Sequence, residues 1–508
     1  MATELLSEKY DVDLYGVLNC YDRIIISGSL HPLCYAKGMT RYLYANGIRI
    51  FDYTAFAQPL RDQIRANAEA IAKENGVEIE FIAKSKSFRK EDRIQEILRV
   101  RGDHPGLVHI FTAMESCTAY KPWHDKQTGK TYVKITKGKC LHYYFYFIDE
   151  ELGLCYLRVP TWCPFRLQFY FNGHNWLANQ LKQHGIPFEQ LDNVFLSIDD
   201  FDLANRLATQ LDIEKLHDKL DAFARRYCPV VSTLGLEYRW SIMQAEYATD
   251  LVFKDQNTLQ AFYPHLLEAL IQAVKPADVA TFLGRKLHGN YQGELGNRFN
   301  ARWLGRRIKH HMGPVAIKMY DKFNIVLRME TTVTDVSFFK QYRQVHHRDG
   351  SVTTKWATMK KTIYSLPALQ ETLLAANQRY LKFISEMATP EVGVEKLHCL
   401  AETKVEPDHR YKGFNLFSEE DTLLFRTLVR GEFAISGFTN KDLRQHLPGK
   451  NSGQITRLLK RLRVHSLIKR VSKRYKYYLS DFGRQVAVMA LKVREMVIIP
   501  ALARGFAA

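Results

Sequence analysis

The sequence predicts a chain of several domains that combines α/β and α+β folds. Residues 14–111 alternate short apolar strands with helices, residues 142–171 are rich in aromatic strands, and residues 415–508 are mostly helical. The 508 residues correspond to about three domains at roughly 150 residues each. Because 46% of the residues are hydrophobic, intrinsic disorder is excluded. The predicted parts are an N-terminal α/β domain (1–228), a middle α+β domain (229–388), a linker (389–414) and a C-terminal domain (415–508).

The first 111 residues alternate between the two kinds of secondary structure. The predicted elements are a hairpin of residues 14–18 and 23–27 around a turn at 19–22, a helix at 38–45, a strand at 48–51, a helix at 56–74, a strand at 77–82, a helix at 90–100 and a strand at 107–111. The helix at 56–74 is followed by Asn75-Gly76, a common C-terminal stop. This alternation predicts a partly parallel sheet.

Aromatic residues dominate the next segment, where residues 142–147 and 155–159 predict an antiparallel hairpin. The other elements predicted before residue 388 are a strand ending at 171, helices at 176–183 and 200–223, a strand at 240–253, a helix at 259–274, a hairpin at 315–332 and a helix at 366–387. The sequence Arg-Arg-Tyr-Cys-Pro at 225–229 predicts the seam between the first two domains.

The C-terminal block has the predicted order helix, helix, basic helix and two-stranded hairpin. Thr439 and Asp442 form a capping-box pattern at the second helix. This order is that of a winged helix, whose third helix enters the major groove of DNA. Residues 462–484 resemble the same part of MarR-like bacterial winged-helix domains, with Ser466 where those domains often have Gly. The resemblance implies that this block binds nucleic acid, and the alternative is a winged helix that contacts protein.

The formal charge of +18 is concentrated in two clusters, which points to a polyanionic partner. The middle cluster is interleaved with Tyr291, Phe299 and Trp303, and its basic residues are Arg285, Lys286, Arg298, Arg302, Arg306, Arg307, Lys309 and Lys318. The C-terminal cluster comprises Arg457, Lys460, Arg461, Arg463, Lys469, Arg470, Lys473, Arg474 and Lys476. We assign nucleic-acid contacts to all of these except Lys318, Lys469 and Arg470. Basic residues among aromatic ones suit single strands, and the C-terminal cluster suits duplex phosphates. An ordinary solvated surface is the alternative.

The middle domain contains Lys-x-Tyr-Asp-Lys at 318–322 and Leu-Arg-Met-Glu at 327–330. These motifs resemble a hairpin of phage and plasmid rolling-circle replication initiators, and residues 240–250 resemble the acidic strand of those proteins. The resemblance implies a strand-cleaving enzyme with a tyrosine nucleophile and a divalent metal, Mg²⁺ or Mn²⁺. The implied catalytic residues are Tyr320, Tyr342 and Lys322, and the implied metal ligands are Glu246, Asp250 and Glu330. The chain lacks the His-hydrophobic-His motif of that family. The alternative is a hairpin held by cross-strand ion pairs.

Other motifs are weaker. An alternative set of nuclease carboxylates consists of Asp22, Glu115 and the acidic residues 149–151. Positions in turns explain Asp22 and residues 149–151 more simply. A phosphate-binding Gly-rich loop and a GxGxxG motif are missing, which argues against an ATP- or NAD-dependent enzyme. The eight cysteines include no CxxC pair, which predicts reduced thiols in the cytoplasm.

The sequence also bears on location and partners. The first residues lack the apolar segment of a secretory signal, and no run reaches the ~20 apolar residues of a membrane span. We therefore predict a cytoplasmic nucleic-acid-binding protein of mobile-element or replication-initiator type. DNA is the preferred partner, structured RNA is the alternative, and a homodimer is compatible with the sequence. A metal-dependent DNA nickase or endonuclease is the sharper hypothesis. The alternative is a non-enzymatic winged-helix transcriptional regulator or an RNA-binding ribonucleoprotein component.

Overall fold

A computed structural model describes residues 4–83, 88–287, 290–302, 305–388, 390–406, 409–415, 417–471 and 475–503. The chain divides into two compact units, Met1–Ala388 and Thr389–Ala508. Both units mix helices and strands, in agreement with the predicted fold class.

Within the described residues, the first unit is built on an eleven-stranded sheet. The strands of this unit are β1 (Leu14–Leu30), β2 (Ile79–Phe81), β3 (Gly106–His124), β4 (Thr131–Asp149), β5 (Gly153–Pro160), β6 (Leu167–Asn172), β7 (Phe188–Leu191), β8 (Val194–Ile198), β9 (Tyr238–Phe253), β10 (Leu295–Arg302), β11 (Gly305–Met312), β12 (Val315–Lys322), β13 (Val326–Val333), β14 (Lys340–His346) and β15 (Val352–Thr358). The large sheet has the order β10-β11-β12-β13-β9-β1-β6-β5-β4-β3-β2, while β7–β8 and β14–β15 are separate hairpins. Its strands pair antiparallel except β2 and β3, so parallel pairing occurs only at this edge of the described sheet.

Helices cover the main core on one face of this sheet. The helices of the first unit are α1 (Leu6–Lys9), α2 (Ala36–Ala45), α3 (Tyr53–Asn75), α4 (Lys90–Arg101), α5 (Gly173–Gln183), α6 (Phe201–Leu207), α7 (Ile213–Tyr227), α8 (Val230–Leu234), α9 (Gln256–Ala273), α10 (Pro276–Phe282) and α11 (Leu366–Ala388). Buried residues of α3, α7, α9 and α11 join strand residues such as Ile24 and Phe169 in one hydrophobic core. The opposite face carries two smaller hydrophobic clusters, one of them under α4, and polar side chains around β1, β9 and β13. We call it the polar face.

The largest difference from the predicted elements is in β1. It is one continuous strand, whereas the sequence predicts a hairpin there. Asn19, predicted to lie in the turn, is paired inside the sheet instead. Its backbone N–H donates to Asn205 Oδ1 at 2.8 Å, and its side-chain Oδ1 accepts a hydrogen bond from Thr249 Oγ1 at 2.8 Å. These buried polar partners make a turn-like sequence stable within a strand.

The predictions for two other elements are also wrong. The strand predicted at 48–51 is replaced by a 3₁₀ turn at Ile50–Asp52. The helix predicted at 200–223 is two helices, α6 and α7, because Asp212 caps the second one. The Asp212 carboxylate accepts a hydrogen bond from the backbone N–H of Lys215 at 3.0 Å. The helix predicted at 56–74 agrees with α3, which ends at Asn75 and is capped by Gly76 with φ of +63°.

The domain boundaries differ from the sequence analysis at two places. The predicted seam at 228 lies inside the first compact unit, where β9 pairs with β1 from Tyr238 to Phe253. The predicted linker 389–414 contains a helix and two short strands, α12 (Pro390–Ala401), β16 (Lys404–Glu406) and β17 (His409–Tyr411). A sheet that takes neighbouring strands from both sides of residue 228 makes one unit of the two predicted domains.

The second unit has its own hydrophobic core. After β17 its elements are α13 (Glu419–Leu428), α14 (Gly431–Ser436), α15 (Asn440–His446), α16 (Ser452–Val464), β18 (Ile468–Val471), β19 (Lys476–Leu479), α17 (Asp481–Val493) and α18 (Ile499–Ala503). Thr439 and Asp442 form the predicted capping box at α15. Strands β18 and β19 pair as an antiparallel hairpin. Among the described helices of both units, none combines the length and the apolar character that crossing a bilayer requires.

Candidate metal centre

Three carboxylates from non-consecutive strands meet on the polar face of the large sheet. Asp22 lies on β1, Glu246 on β9 and Glu330 on β13, and one oxygen of each lies within 4.8 Å of the others. Asp22 and Glu330 are buried, and Glu246 is partly buried. Carboxylate oxygens are the ligands that Mg²⁺ and Mn²⁺ prefer. This group, which we call the carboxylate trio, could therefore hold a metal ion.

A β-bulge brings Asp22 into the trio. Tyr21 pairs with Tyr247 and Arg23 pairs with Glu246, so Asp22 is an extra residue without a partner on β9. Side chains alternate between the two faces of a regular strand, and a bulge interrupts that alternation. Tyr21 lies in the main core, where its ring contacts that of Tyr247. The bulge allows the next two residues, Asp22 and Arg23, to reach the polar face together.

Residues at the N-terminal end of α5 hold the Asp22 carboxylate in position. Asn172, the N-cap of this helix, accepts hydrogen bonds from the backbone N–H groups of His174 and Asn175. Its side-chain amide donates to Asp22 Oδ1 at 3.2 Å, and Asn193 donates to the same oxygen at 2.6 Å. Burial would raise the pKa of Asp22, but the charge of Arg328, the His174 imidazole 3.2 Å away and the hydrogen bond from Asn193 hold this pKa well below its ordinary value. Asp22 is therefore ionised and fixed in position.

Lys318 and Tyr320 on β12 contact the other two carboxylates. Lys318 Nζ lies 2.5 Å from Glu330 Oε1 and 3.6 Å from Glu246 Oε1. The Tyr320 hydroxyl donates to Glu330 Oε2. Burial and the neighbouring Glu330 raise the pKa of Glu246, although Lys318 opposes the shift. The two close carboxylates contact one ammonium group, and the charge of Arg23, which is paired with Glu246 in the sheet, also acts on Glu246.

Asp250, a predicted metal ligand, belongs to a different network. Arg328 Nε and Nη2 donate to the two Asp250 oxygens at 2.7 and 2.6 Å. Arg328 Nη2 also approaches His174 Nε2 at 3.0 Å and donates to the Asn193 carbonyl at 2.7 Å. Asp250 is thus the two-point partner of Arg328, and the third carboxylate beside Glu246 and Glu330 is Asp22. Arg328 Nη1 lies 3.6 Å from Asp22 Oδ2 without forming a hydrogen bond.

Basic residues of the middle cluster extend from the trio along the polar face. The sheet register pairs Arg298 on β10 with Lys309 on β11, and Lys309 with Lys318 on β12. Arg307 pairs with Tyr320 in the same way. Directly paired residues project from the same face of a sheet. Burial, followed by the charges of Lys318, Arg307 and Arg298, lowers the pKa of Lys309. The mutual influence of these cations agrees with a continuous basic row that ends at the carboxylates.

Of the other predicted residues of the first unit, Lys322 lies next to the trio and the rest lie elsewhere. Lys322 Nζ donates to Asn193 Oδ1, and burial with the nearby Arg328 lowers its pKa. Tyr342 is exposed on the separate β14–β15 hairpin, where it contacts Trp356. Arg285 donates to the Phe338 carbonyl and stacks on its ring, whereas Lys286 and Arg306 are exposed. The side chain of Arg302 and the residue Trp303 lie outside what the structure describes.

In the second unit the predicted basic residues of α16 have two different environments. Arg461 forms ion-pair contacts with Asp421 at 2.9 and 3.1 Å and stacks over Phe414 at 3.9 Å, so its role is structural. Lys460 lies 2.6 Å from Glu406 of β16. Arg457 and Arg463 are exposed, and Lys476 is partly exposed on β19. Lys473 and Arg474 lie outside the described residues.

The residues that the sequence analysis missed are mainly basic or amide side chains. Arg23, His174 and Arg328 complete the centre. Lys318 was identified in a charge cluster and in the 318–322 motif, where the alternative was a cross-strand ion pair, and it does pair with Glu330. Asp22 was considered with the wrong partners, because Glu115 pairs with Arg158 at 2.5 Å and Asp149 pairs with Lys219 at 2.8 Å. An Asp-Arg pair inside the long apolar run 14–30 is the one sequence feature that marks this position. Comparison with known proteins adds no family: no family model matches the chain, and no curated protein matches it.

Proposed function

We propose that the protein binds nucleic acid and cleaves its phosphodiester backbone with a divalent metal, Mg²⁺ or Mn²⁺. The observation that carries this proposal is the convergence of Asp22, Glu246 and Glu330 with Lys318 on a sheet face that also bears a row of cations. The cations would hold the phosphates and lead the backbone to the carboxylates. Structural ion pairs account for part of this arrangement, because Lys318 pairs with Glu330 and Arg328 lies near Asp22. Three carboxylate oxygens within 4.8 Å of one another are in addition a set of ligands that suits a divalent cation.

The trio and the residues around it would each have a separate role in phosphodiester cleavage. A bound Mg²⁺ or Mn²⁺ would polarise the scissile phosphate and stabilise its developing charge. Asp22, Glu246 and Glu330 would supply the oxygens that hold the cation. The Lys318 ammonium, released from Glu330 when a cation binds there, would pair with a phosphate oxygen. Arg328 and the amides of Asn172 and Asn193 would keep Asp22 ionised and oriented.

Tyr320 is the nucleophile that we propose in place of a water molecule. Its hydroxyl already donates to Glu330, which would accept the phenol proton while the phenol oxygen attacks phosphorus. The bond from phosphorus to the leaving sugar oxygen breaks, and Lys318 donates a proton to that oxygen. Burial and the adjacent Glu330 raise the pKa of Tyr320, so the hydroxyl is protonated until the moment of attack. The product is a covalent phosphotyrosine.

The second unit would supply duplex binding. We propose that α15, α16 and the β18–β19 hairpin act as a winged helix, which is the arrangement that the order of these elements suits. The exposed Arg457 and Arg463 on α16 are available to phosphates, whereas Arg461 is held by Asp421. DNA is the partner that this arrangement favours, and structured RNA is the second substrate to be tested.

The test is cleavage of labelled single-stranded, duplex and hairpin DNA and RNA by the purified chain with Mn²⁺ or Mg²⁺. We expect cleavage that EDTA abolishes and that Asp22→Asn, Glu246→Gln and Glu330→Gln each reduce by about 100-fold or more. Glu294→Gln is the matched control, because Glu294 is an exposed carboxylate next to the basic row. A covalent adduct should form with the native chain and be absent from Tyr320→Phe. If no substrate is cleaved although the folded protein binds DNA, the non-enzymatic regulator is the correct function.

A further inference from the structure

We propose that a cavity beside the carboxylate trio binds one base of the substrate and prefers bases that carry an exocyclic amino group. The inference rests on the proposed function, because it places a nucleotide next to the phosphate that would be cleaved. It adds a specificity pocket that neither the sequence motifs nor the trio itself indicates.

The cavity has a volume of about 210 Å³ and lies between α4 and strands β4, β5 and β6. Tyr146, Tyr156 and Tyr170 line it and stand next to one another in the sheet register. The rings of Tyr156 and Tyr170 are stacked, with centroids 5.0 Å apart, and the centroids of Tyr146 and Tyr156 are 5.2 Å apart. Tyrosine rings next to Ile94 and Leu154 form a surface that suits a flat, partly apolar ring such as a base.

Two amide side chains connect this cavity with the trio. Asn172 and Asn193 line the cavity, and both donate hydrogen bonds to Asp22 Oδ1. Arg23 also lines the cavity and is paired with Glu246 in the sheet. A base in the cavity would therefore have its own sugar and phosphate close to the trio, with the Arg23 guanidinium available to the phosphate.

The polar groups of the cavity select among bases. Glu91 and Gln95 on α4 and Asp192 before β8 also line it. Carboxylates accept hydrogen bonds from the amino groups of cytosine, adenine and guanine, whereas uracil and thymine carry no such group. Uracil offers a carboxylate only its N3–H, which lies between two carbonyl oxygens that the carboxylate repels, so uracil should bind less tightly than an amino-bearing base. The walls thus favour an amino-bearing base.

Binding of nucleoside 5′-monophosphates to the full-length protein in EDTA tests the proposal without any cleavage. Saturation-transfer NMR and calorimetry should detect AMP, CMP or GMP, and UMP should bind roughly tenfold more weakly than the best of these. Glu91→Ala combined with Gln95→Ala should weaken that binding roughly tenfold. Both residues are exposed on α4, so the fold should survive, and Glu96→Ala on the same helix is the control.

The outcomes separate the two proposals. If none of the four nucleotides binds, or if UMP binds as well as the others, the pocket is refuted even when the protein cleaves nucleic acid. The pocket is also refuted if the double variant binds as tightly as the control. If nucleotides bind selectively but no substrate is cleaved with Mn²⁺, the pocket stands and the cleavage function fails. When both hold, the base preference at the cleavage site should be lost in the double variant.

Discussion

Arg328 and Asp250 form a two-point ion pair in the interior of the first unit, with the guanidinium fully buried. The same guanidinium lies 3.6 Å from Asp22, so one cation supports a structural carboxylate and a candidate metal ligand. Removal of one member of a buried pair leaves the other charge without compensation. The stability of the fold and the ionised state of Asp22 therefore both depend on Arg328.

Asp250→Asn should lower the free energy of unfolding by about 3–5 kcal/mol, because Arg328 would remain buried without its partner. Chemical unfolding followed by circular dichroism measures the change. Glu96→Gln is the control, since Glu96 and Arg93 form an exposed pair whose loss should change the stability little. Equal stability of the two variants would show that the buried pair contributes little.

Binding of Mn²⁺ to the trio should strengthen as the pH rises. Burial and Glu330 raise the pKa of Glu246, and a protonated carboxyl group must lose its proton before it can bind a cation. Affinity should therefore be low below that raised pKa and reach its maximum above it. Calorimetric titration with Mn²⁺ between pH 5 and 8 measures the profile, and Glu246→Gln should flatten it. An affinity independent of pH in the native chain would contradict the assignment of Glu246.

Lys318→Met should destabilise the metal-free protein and increase its response to metal. Without the ammonium, Glu330 and Glu246 repel each other in a buried place, and a divalent cation can replace the lost charge. We expect a lower melting temperature in EDTA and a larger increase on addition of Mn²⁺ than in the native chain. Lys361→Met, at an exposed pair with Asp335, should show neither effect. A smaller metal response in Lys318→Met would place the cation elsewhere.

Gly173→Ala should destabilise the first unit by about 1–3 kcal/mol, because a Cβ there would overlap the carbonyl oxygen of Tyr21. The helix α5 would have to move away from β1, which would also displace Asn172 from Asp22. Thermal unfolding measures the cost, and loss of Mn²⁺ affinity measures the displacement. Gly431→Ala is the matched control, since a Cβ at that position meets nothing within 4 Å.

Replacing both Arg457 and Arg463 with glutamate should weaken DNA binding and reduce its dependence on salt, because each lost phosphate contact lowers the salt slope by about one. The melting temperature should change little, since both side chains are exposed. Arg461→Glu should instead unfold the second unit, because it would place two carboxylates against each other at Asp421. Fluorescence anisotropy at several salt concentrations, together with thermal unfolding, distinguishes these variants.

The periodicity of the sequence predicted the elements whose environment is uniform. The helix α3 and the β12–β13 hairpin agree with their predicted positions because one face of each is consistently apolar. The prediction was wrong for β1, because its polar residues Asn19 and Asp22 find hydrogen-bond partners only in the folded sheet. A local sequence pattern indicates which residues prefer a turn. It does not indicate that a hydrogen-bond donor distant in sequence will stabilise the same residues in a strand.

The candidate centre was predicted in part for the same reason. Glu246 and Glu330 were identified because their motifs are local, and the period of two placed each on a defined face. Asp250 was assigned with them because it lies four residues from Glu246 on the same face, but the sequence carries no information that Arg328 engages it. Asp22 is distant in sequence from both glutamates, and only the pairing of β1 with β9 brings it to them.

Because of the bulge at Asp22, the centre depends on the number of residues in β1 as well as on their side chains. Deleting a single residue between Tyr21 and Arg23 would restore regular alternation, and it would remove the carboxylate while the rest of β1 kept its pairing with β9. Inserting a residue in β1 before Asp22 would instead exchange the faces of the side chains that follow it, sending Ile24 toward the carboxylates and Arg23 toward the main core. Homologous chains that keep the centre should therefore keep the spacing of this strand, even where the residues around it differ.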